Sequence, residues 1–202
     1  MHVLITAGPT REPIDPVRYL SNHSTGGMGL ALCRAAMERG HQVTLVLGPV
    51  AAAPPEGAAV VCVETALEMR DAVLRALPRA DAVICAAAVG DYRPAEPGAR
   101  KLKRRGRHRL ELVENPDIAA EVGARKGGRP LVIYALETDD PLANGLAKLE
   151  QKNADLCVVN GAEAVGAASA LFHVLGPDGE VRWVDHATKE VVAGIVLDEL
   201  GF

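Results

Sequence analysis

Aromatic side chains are nearly missing from this chain, with one Trp, three Tyr and two Phe among 202 residues. An aromatic-rich barrel is therefore a poor fit. The apolar 49% is carried by Ala, Val and Leu, which suits helices packed on a sheet. Zinc-type cysteine spacing is missing too. Cys33, Cys62, Cys85 and Cys157 are scattered without a CxxC pair, and each lies in an apolar run that predicts a buried, reduced thiol. No apolar run reaches membrane-spanning length, and no charged segment followed by an apolar stretch opens the chain, so a cytoplasmic location is expected. Positive charge is not in excess. A net charge of −4 excludes a molecule that binds polyanions with its whole surface. Charged residues make up 24%, ordinary for a globular protein, and the length suits a single domain expected to span residues 1–202.

What the chain does carry is a succession of continuous apolar strands and amphipathic helices. His2–Ala7, Gln42–Leu47 and residues 60–63, 81–86, 131–135 and 155–159 read as strands. Helices are predicted over residues 25–39, 65–77, 115–124, 141–152 and 188–200, with Thr65 capping toward Glu68 and Pro116 in a first turn. Residues 110–113 read as a short strand, and 171–175 with 181–184, around GPDGE, as a hairpin. Continuous rather than alternating strands are covered on both faces, as in parallel sheets with right-handed crossovers. The prediction is an α/β fold, Rossmann-like and doubly wound, with a mainly parallel sheet and a C-terminal β-hairpin.

The stretch ITAGPTREPIDPVRYLSNHSTGGMG, residues 5–29, is far longer than a connection requires. In open α/β sheets, ligands bind beyond the carboxyl ends of the strands, where loops enter helix N-termini. Gly26, Gly27 and Gly29 permit close approach by an anion there, and Ser24 and Thr25 add hydroxyl donors that serve equally as helix caps. The dinucleotide fingerprint GxGxxG is absent. In CAAAVGDYRP, residues 85–94, three alanines leave room for a planar ligand. Asp91 fits a contact to a base or ribose, a metal ligand, or a plain turn residue. RKLKRRGRHR, residues 100–109, holds seven Lys or Arg in ten positions. A solvated face, a nucleic-acid patch and a loop that closes over a triphosphate all fit it, although no interleaved aromatic supports base stacking. Lys148 and Lys152 stand four apart on one predicted helical face, ordinary surface lysines unless a phosphate lies beside them.

Taken in order, the long first motif, AAAVGDYRP, KLKR, ENPDI, ALET and the Lys148/Lys152 pair resemble phosphopantothenate–cysteine ligases over nearly the whole chain. The resemblance implies a ligase that activates the carboxylate of 4′-phosphopantothenate as an acyl-cytidylate, releases pyrophosphate, and then lets the amine of L-cysteine displace CMP, within coenzyme A biosynthesis. It implies CTP as co-substrate, Mg²⁺, no flavin and a homodimer, with no nucleic-acid or membrane partner. The family's domain is often fused behind a flavin-dependent decarboxylase. The chain is therefore expected as a stand-alone ligase, with a separate phosphopantothenoylcysteine decarboxylase, or as the excised half of a fusion. Such chemistry needs positioning and charge neutralisation more than a protein nucleophile, consistent with a sequence that offers no convincing Ser–His–Asp or Cys–His set.

Carried onto this chain, Asn22, Arg18 and Lys101 resemble the catalytic residues. Gly8, Asn22, Ser24, Thr25, Gly26 and Gly29 would bind phosphopantothenate. Ala87, Ala88, Asp91, Lys101, Asn115, Pro116, Asp117, Ile118, Tyr134, Lys148 and Lys152 would bind the nucleotide. The metal would be held mainly by the triphosphate, with Asp91 as a further candidate. The chain departs from the family at Gly27, where lysine is common, at Lys101-Leu102-Lys103-Arg104 in place of KxKK, at Tyr134 in place of phenylalanine, and at Asn160-Gly161 with the loop that follows. Readings from other classes are an NAD(P)-dependent Rossmann-type reductase, disfavoured without GxGxxG, and a nucleic-acid-binding module using residues 100–109.

Overall fold

The computed structural model describes residues 1–104 and 106–202, without the side chain of Val181. Arg105, part of the basic run, lies outside the described residues. The chain opens with β1 (His2–Ala7), β2 (Arg11–Asp15), β3 (Arg18–Ser21), α1 (Gly27–Glu38), β4 (Gln42–Leu47) and β5 (Ala59–Cys62). It continues with α2 (Ala66–Ala76), β6 (Ala82–Cys85), β7 (Tyr92–Pro94), β8 (Leu112–Glu114) and α3 (Ile118–Gly123). It ends with β9 (Leu131–Leu136), α4 (Pro141–Gln151), β10 (Leu156–Asn160), β11 (Ser169–Gly176), β12 (Gly179–Thr188) and α5 (Lys189–Glu199).

Eight strands form one sheet in the order β5-β4-β1-β6-β9-β10-β11-β12, parallel as far as β10, with β11 and then β12 added antiparallel. This is the doubly wound, Rossmann-like α/β sheet with a C-terminal hairpin that the strand runs predict. Successive side chains of β1 point to opposite faces, and both faces are covered. Val3 and Ile5 join Leu30, Leu32, Val192 and Leu197 of α1 and α5. Leu4 joins Met69, Val73, Val122 and Leu149 of α2, α3 and α4. From β1 the chain steps outward to β4 and β5, then returns to β6 and steps the other way. The carboxyl ends of β1 and β6 thus flank the switch point of the sheet, the usual place for a ligand crevice.

The long first loop is more ordered than its composition suggests, because β2 and β3 pair antiparallel within it. Pro13 and the charged residues hide this strand from a pattern reading. Tertiary contacts create it. The Arg11 N–H donates to the Glu64 carbonyl at 2.7 Å, and the buried Glu12 carboxylate accepts from the Ala66 N–H at 2.9 Å, at the start of α2. Residues 92–94 carry no strand signal in the sequence either, yet β7 pairs with β8.

Helix starts divide between local and tertiary control. Thr65 caps α2 as predicted, its hydroxyl accepting from the Glu68 N–H at 3.2 Å while Glu68 answers the Thr65 N–H at 3.3 Å. Helix α3 begins only at Ile118, capped by Asp117 Oδ1 at 3.0 Å from the Ala120 N, so Pro116 precedes the helix instead of filling its first turn. Helix α1 begins at Gly27 behind Gly26, which has a left-handed φ of 75°. Neither Ser24 nor Thr25 caps it, contrary to expectation. Ser24 Oγ accepts instead from the Gly26 N–H at 3.3 Å, and the first turn of α1 has no side-chain cap among the described residues. Gly29 lets α1 lie against β1, since a Cβ there would stand 2.9 Å from Ala7 Cα and 3.0 Å from the Thr6 carbonyl oxygen. Overpacking of that kind costs about 1–3 kcal/mol.

Two expectations about burial need correction. Cys33 and Cys157 are buried and Cys85 half-buried, but Cys62 is exposed because β5 is an edge strand with one neighbour. Phe172, Val174 and Trp183 of the hairpin read from sequence as apolar surface that a partner could cover, yet only Trp183, 60% exposed, is at the surface, whereas Phe172 and Val174 belong to the core under α1 and α5.

Candidate active site

At the switch point, the loops after β1 and β6 are joined before any ligand is considered. The Ala88 N–H donates to the Gly8 carbonyl at 2.9 Å, and the Thr10 N–H donates to the Ala88 carbonyl at 3.2 Å. Buried Thr6 accepts from the Ala87 N–H at 3.1 Å, and Thr10 Oγ1 from the Gly90 N–H at 2.9 Å. Asn115 Nδ2 donates to the Gly90 carbonyl at 2.8 Å and so holds the start of the α3 segment to the same frame. Asn22 completes it, its Nδ2 donating to the Ala88 carbonyl at 2.8 Å from the far side of the first loop. The second N–H and the carbonyl oxygen of this amide remain for another partner.

These loops enclose a cleft of about 890 Å³. That lies toward the large end for small-molecule sites, with room for two reactants side by side. Asn22, Ser24 and Thr25 form part of its wall, with Ala87, Ala88 and Asp91 opposite. Asn115, Pro116, Asp117, Ile118 and Tyr134 line it from α3 and β9, and Lys148 and Lys152 from α4 and its end. Most residues singled out in sequence, scattered over 130 positions, thus share one cavity. Lys148 pairs with Glu137 at 2.5 Å and Lys152 with Asp117 at 3.1 Å, so both ammonium groups are held in place at the cleft.

Several candidates lie elsewhere. Gly8, Gly26 and Gly29 do not line the cleft. They allow its loops to approach, since a Cβ on Gly8 would stand 2.9 Å from Val50 Cγ1 and one on Gly26 would stand 3.2 Å from Gly8 Cα. Arg18 and Lys101 are not at the cleft wall either. The buried Asp15 carboxylate captures the Arg18 guanidinium and accepts from the backbone N–H groups of Val17 at 2.9 Å and Leu102 at 3.1 Å. Its hydrogen bonds, that to Arg18 foremost, hold its pKa well below the usual carboxylate range. Arg18 also donates to the Leu102 carbonyl at 3.0 Å, so the β2–β3 hairpin tethers the basic segment beside a second, smaller depression of Arg18, Leu102, Lys103, Arg104 and His108.

Among the described residues, the cleft offers no activated protein nucleophile. Burial pushes the Cys85 thiol up to about 12 despite the nearby Lys152 charge. Burial also raises the Tyr134 pKa far above the ordinary phenol, so its hydroxyl stays neutral, and no partner satisfies it among the described residues. Nor do the described residues bring together three His, Cys, Asp or Glu side chains to hold a metal. Among the described residues, no helix is long and apolar enough to cross a membrane. Sequence reasoning missed one cationic residue of the cleft, Lys189, the first residue of α5.

A family profile described as the DNA/pantothenate metabolism flavoprotein C-terminal domain matches residues 1–201. The coenzyme A biosynthesis bifunctional protein CoaBC of Escherichia coli strain K12 is 39% identical over 209 residues, covering 99% of this chain and 51% of that protein. Its counterpart in Bacillus subtilis strain 168 is 41% identical over 205 residues, covering 98% and 50%. The chain therefore spans about half the length of the curated relatives it matches. The crystal structure of the C-terminal domain of a CoaBC protein superposes with a TM-score of 0.85 at 37% identity, covering 98% of this chain and 93% of that one.

Proposed function

The chain belongs to the DNA/pantothenate metabolism flavoprotein C-terminal domain family, and from that premise we propose that it is a ligase of coenzyme A biosynthesis that joins 4′-phosphopantothenate to L-cysteine. The observation that carries this reading is the Asn22–Ala88 hydrogen bond, which poises a half-free amide over a cleft that also holds three lysines and, among the described residues, no activated nucleophile. In the proposed reaction a carboxylate oxygen of the acid attacks the α-phosphorus of CTP, and pyrophosphate leaves. The cysteine amine then attacks the acyl carbon, the C–N bond forms, the C–O bond to the nucleotide breaks, and CMP departs with the amine's proton released. Lys148 and Lys152 would neutralise phosphate charge, and Asn22 would donate to the oxyanion that develops on the acyl oxygen. Arg18 and Lys101 would act only if the basic segment moved from its tether at Asp15.

The donor set at the cleft does not make a metal cage, and Asp117 is already engaged by Lys152 and the α3 cap. Mg²⁺ would therefore arrive bound to the triphosphate, as part of the substrate. The test is product formation: with 4′-phosphopantothenate, L-cysteine and Mg²⁺, pyrophosphate and 4′-phosphopantothenoylcysteine should appear, faster with CTP than with ATP. A clear ATP preference would overturn the nucleotide assignment, and no product with either would overturn the ligase reading. The same proposal includes a homodimer, with the exposed Trp183 on edge strand β12 as the apolar surface to be covered. Sedimentation at working concentration should give twice the chain mass, and a monomer would contradict it.

A further inference from the structure

Lys189 opens α5, just after its cap Thr188, and its side chain runs across the start of α1 into the cleft. Its stem lies on Gly27. A Cβ built on that glycine would stand 3.1 Å from Lys189 Cδ, tighter than most such contacts, and 3.4 Å from Cε, so the stem would have to shift by a few tenths of an ångström. Any side chain at position 27 would compete with the lysine for this space. The same position faces Thr25, whose Oγ1 would be 3.4 Å from that Cβ, so the threonine hydroxyl and the lysine flank one small patch of backbone.

The ammonium group is held differently from the other cleft lysines. Lys148 and Lys152 each pair with a carboxylate, whereas Lys189 donates to the Ala167 carbonyl, and no carboxylate pairs with it among the described residues. A neutral carbonyl leaves the positive charge uncompensated. The nearby first turn of α1 adds N–H groups without a side-chain cap. Both features favour an anion, and the small walls of Ser24, Thr25 and Gly27 suit a compact one.

We propose that Lys189 is a binding residue for a phosphomonoester in this cleft, and that Gly27 is what lets its stem reach there. On the ligase reading, on which the choice of ligand rests, the phosphomonoester is that of 4′-phosphopantothenate. Lys189 leaves the Ala167 carbonyl for a phosphate oxygen and so selects the phosphorylated acid over free pantothenate.

Lys189→Met keeps the apolar stem over Gly27 and removes the charge. Titration calorimetry should show 4′-phosphopantothenate binding weakened about 10- to 100-fold, the value of one charge-assisted hydrogen bond, with CTP binding unchanged. Free pantothenate should bind both proteins equally weakly, and Lys189→Arg should recover part of the loss. Gly27→Ala, which keeps the charge and displaces the stem, should lose phosphomonoester affinity in the same direction. Unchanged 4′-phosphopantothenate affinity in Lys189→Met, or an equal loss for free pantothenate, would overturn the assignment. An unaffected Gly27→Ala would overturn the role of the glycine. Because binding is read without turnover, failure of the ligase reading remains distinguishable. A wild-type protein that makes no product but binds methyl phosphate through Lys189 keeps the site and loses only the reaction, and one that binds methyl phosphate equally well as Lys189→Met loses the site.

Discussion

Asn22→Asp is expected to form the acyl-nucleotide anhydride and then fail to convert it. The Asn22 amide spends one N–H on the Ala88 carbonyl at 2.8 Å and keeps the other for the reacting acyl oxygen. An aspartate of the same size has no N–H to give. It would also set a carboxylate oxygen against the Ala88 carbonyl oxygen, turning an attraction into a repulsion at the join between the two loops. Loss of one oxyanion donor typically costs about 10²- to 10³-fold in rate, and the amide-forming step should fall by that factor. Pyrophosphate release in the first turnover should persist. Mass spectrometry of a reaction containing 4′-phosphopantothenate, CTP, Mg²⁺ and cysteine should therefore show the acyl-cytidylate accumulating. Wild-type turnover by Asn22→Asp would mean that this loop is not the catalytic centre. Because Asn22 is exposed, the melting temperature should move little, which separates the catalytic effect from unfolding.

Lys152→Gln should raise the KM for the nucleotide about 10- to 100-fold while leaving the KM for cysteine near wild type, since one charge-assisted contact to phosphate is worth about 1.5–3 kcal/mol. The position is suited to this test. The partner Asp117 has a half-exposed side chain and keeps its capping bond to Ala120, so losing the ion pair should cost at most about 1 kcal/mol of stability. Lys148 is less clean. Its partner Glu137 has a side chain only 13% exposed, and removing the lysine alone would leave that charge with only the Asn144 amide at 3.2 Å. The double change Lys148→Gln with Glu137→Gln separates the phosphate contact from that penalty. Steady-state kinetics with CTP varied would decide. An unchanged nucleotide KM in Lys152→Gln would remove the lysine pair from the nucleotide site.

The sequence by itself determined the sheet and most of its helices. Strands covered on both faces are apolar at nearly every position, as in β1, where Val3, Leu4, Ile5 and Ala7 are core residues and only His2 and Thr6 are polar, and this pattern survives without knowledge of neighbours. The capping box at Thr65 is equally local, because its two hydrogen bonds join residues three apart. The long motif at residues 5–29 and the KLEQK pair marked the cleft, since chain order in a doubly wound sheet brings the ends of β1, β6 and β9 together. Only the tertiary structure decided the rest. The hairpin of β2 and β3 forms around Pro13 because Glu12 finds the start of α2, a partner no local pattern could reveal. Arg18 is drawn to Asp15 because a buried carboxylate must be paired, which moves it away from the cleft its motif suggested. Lys189 meets Gly27 from the opposite end of the chain because α1 and α5 pack side by side on one face of the sheet, and close packing, which has no sequence spacing, brings the two together.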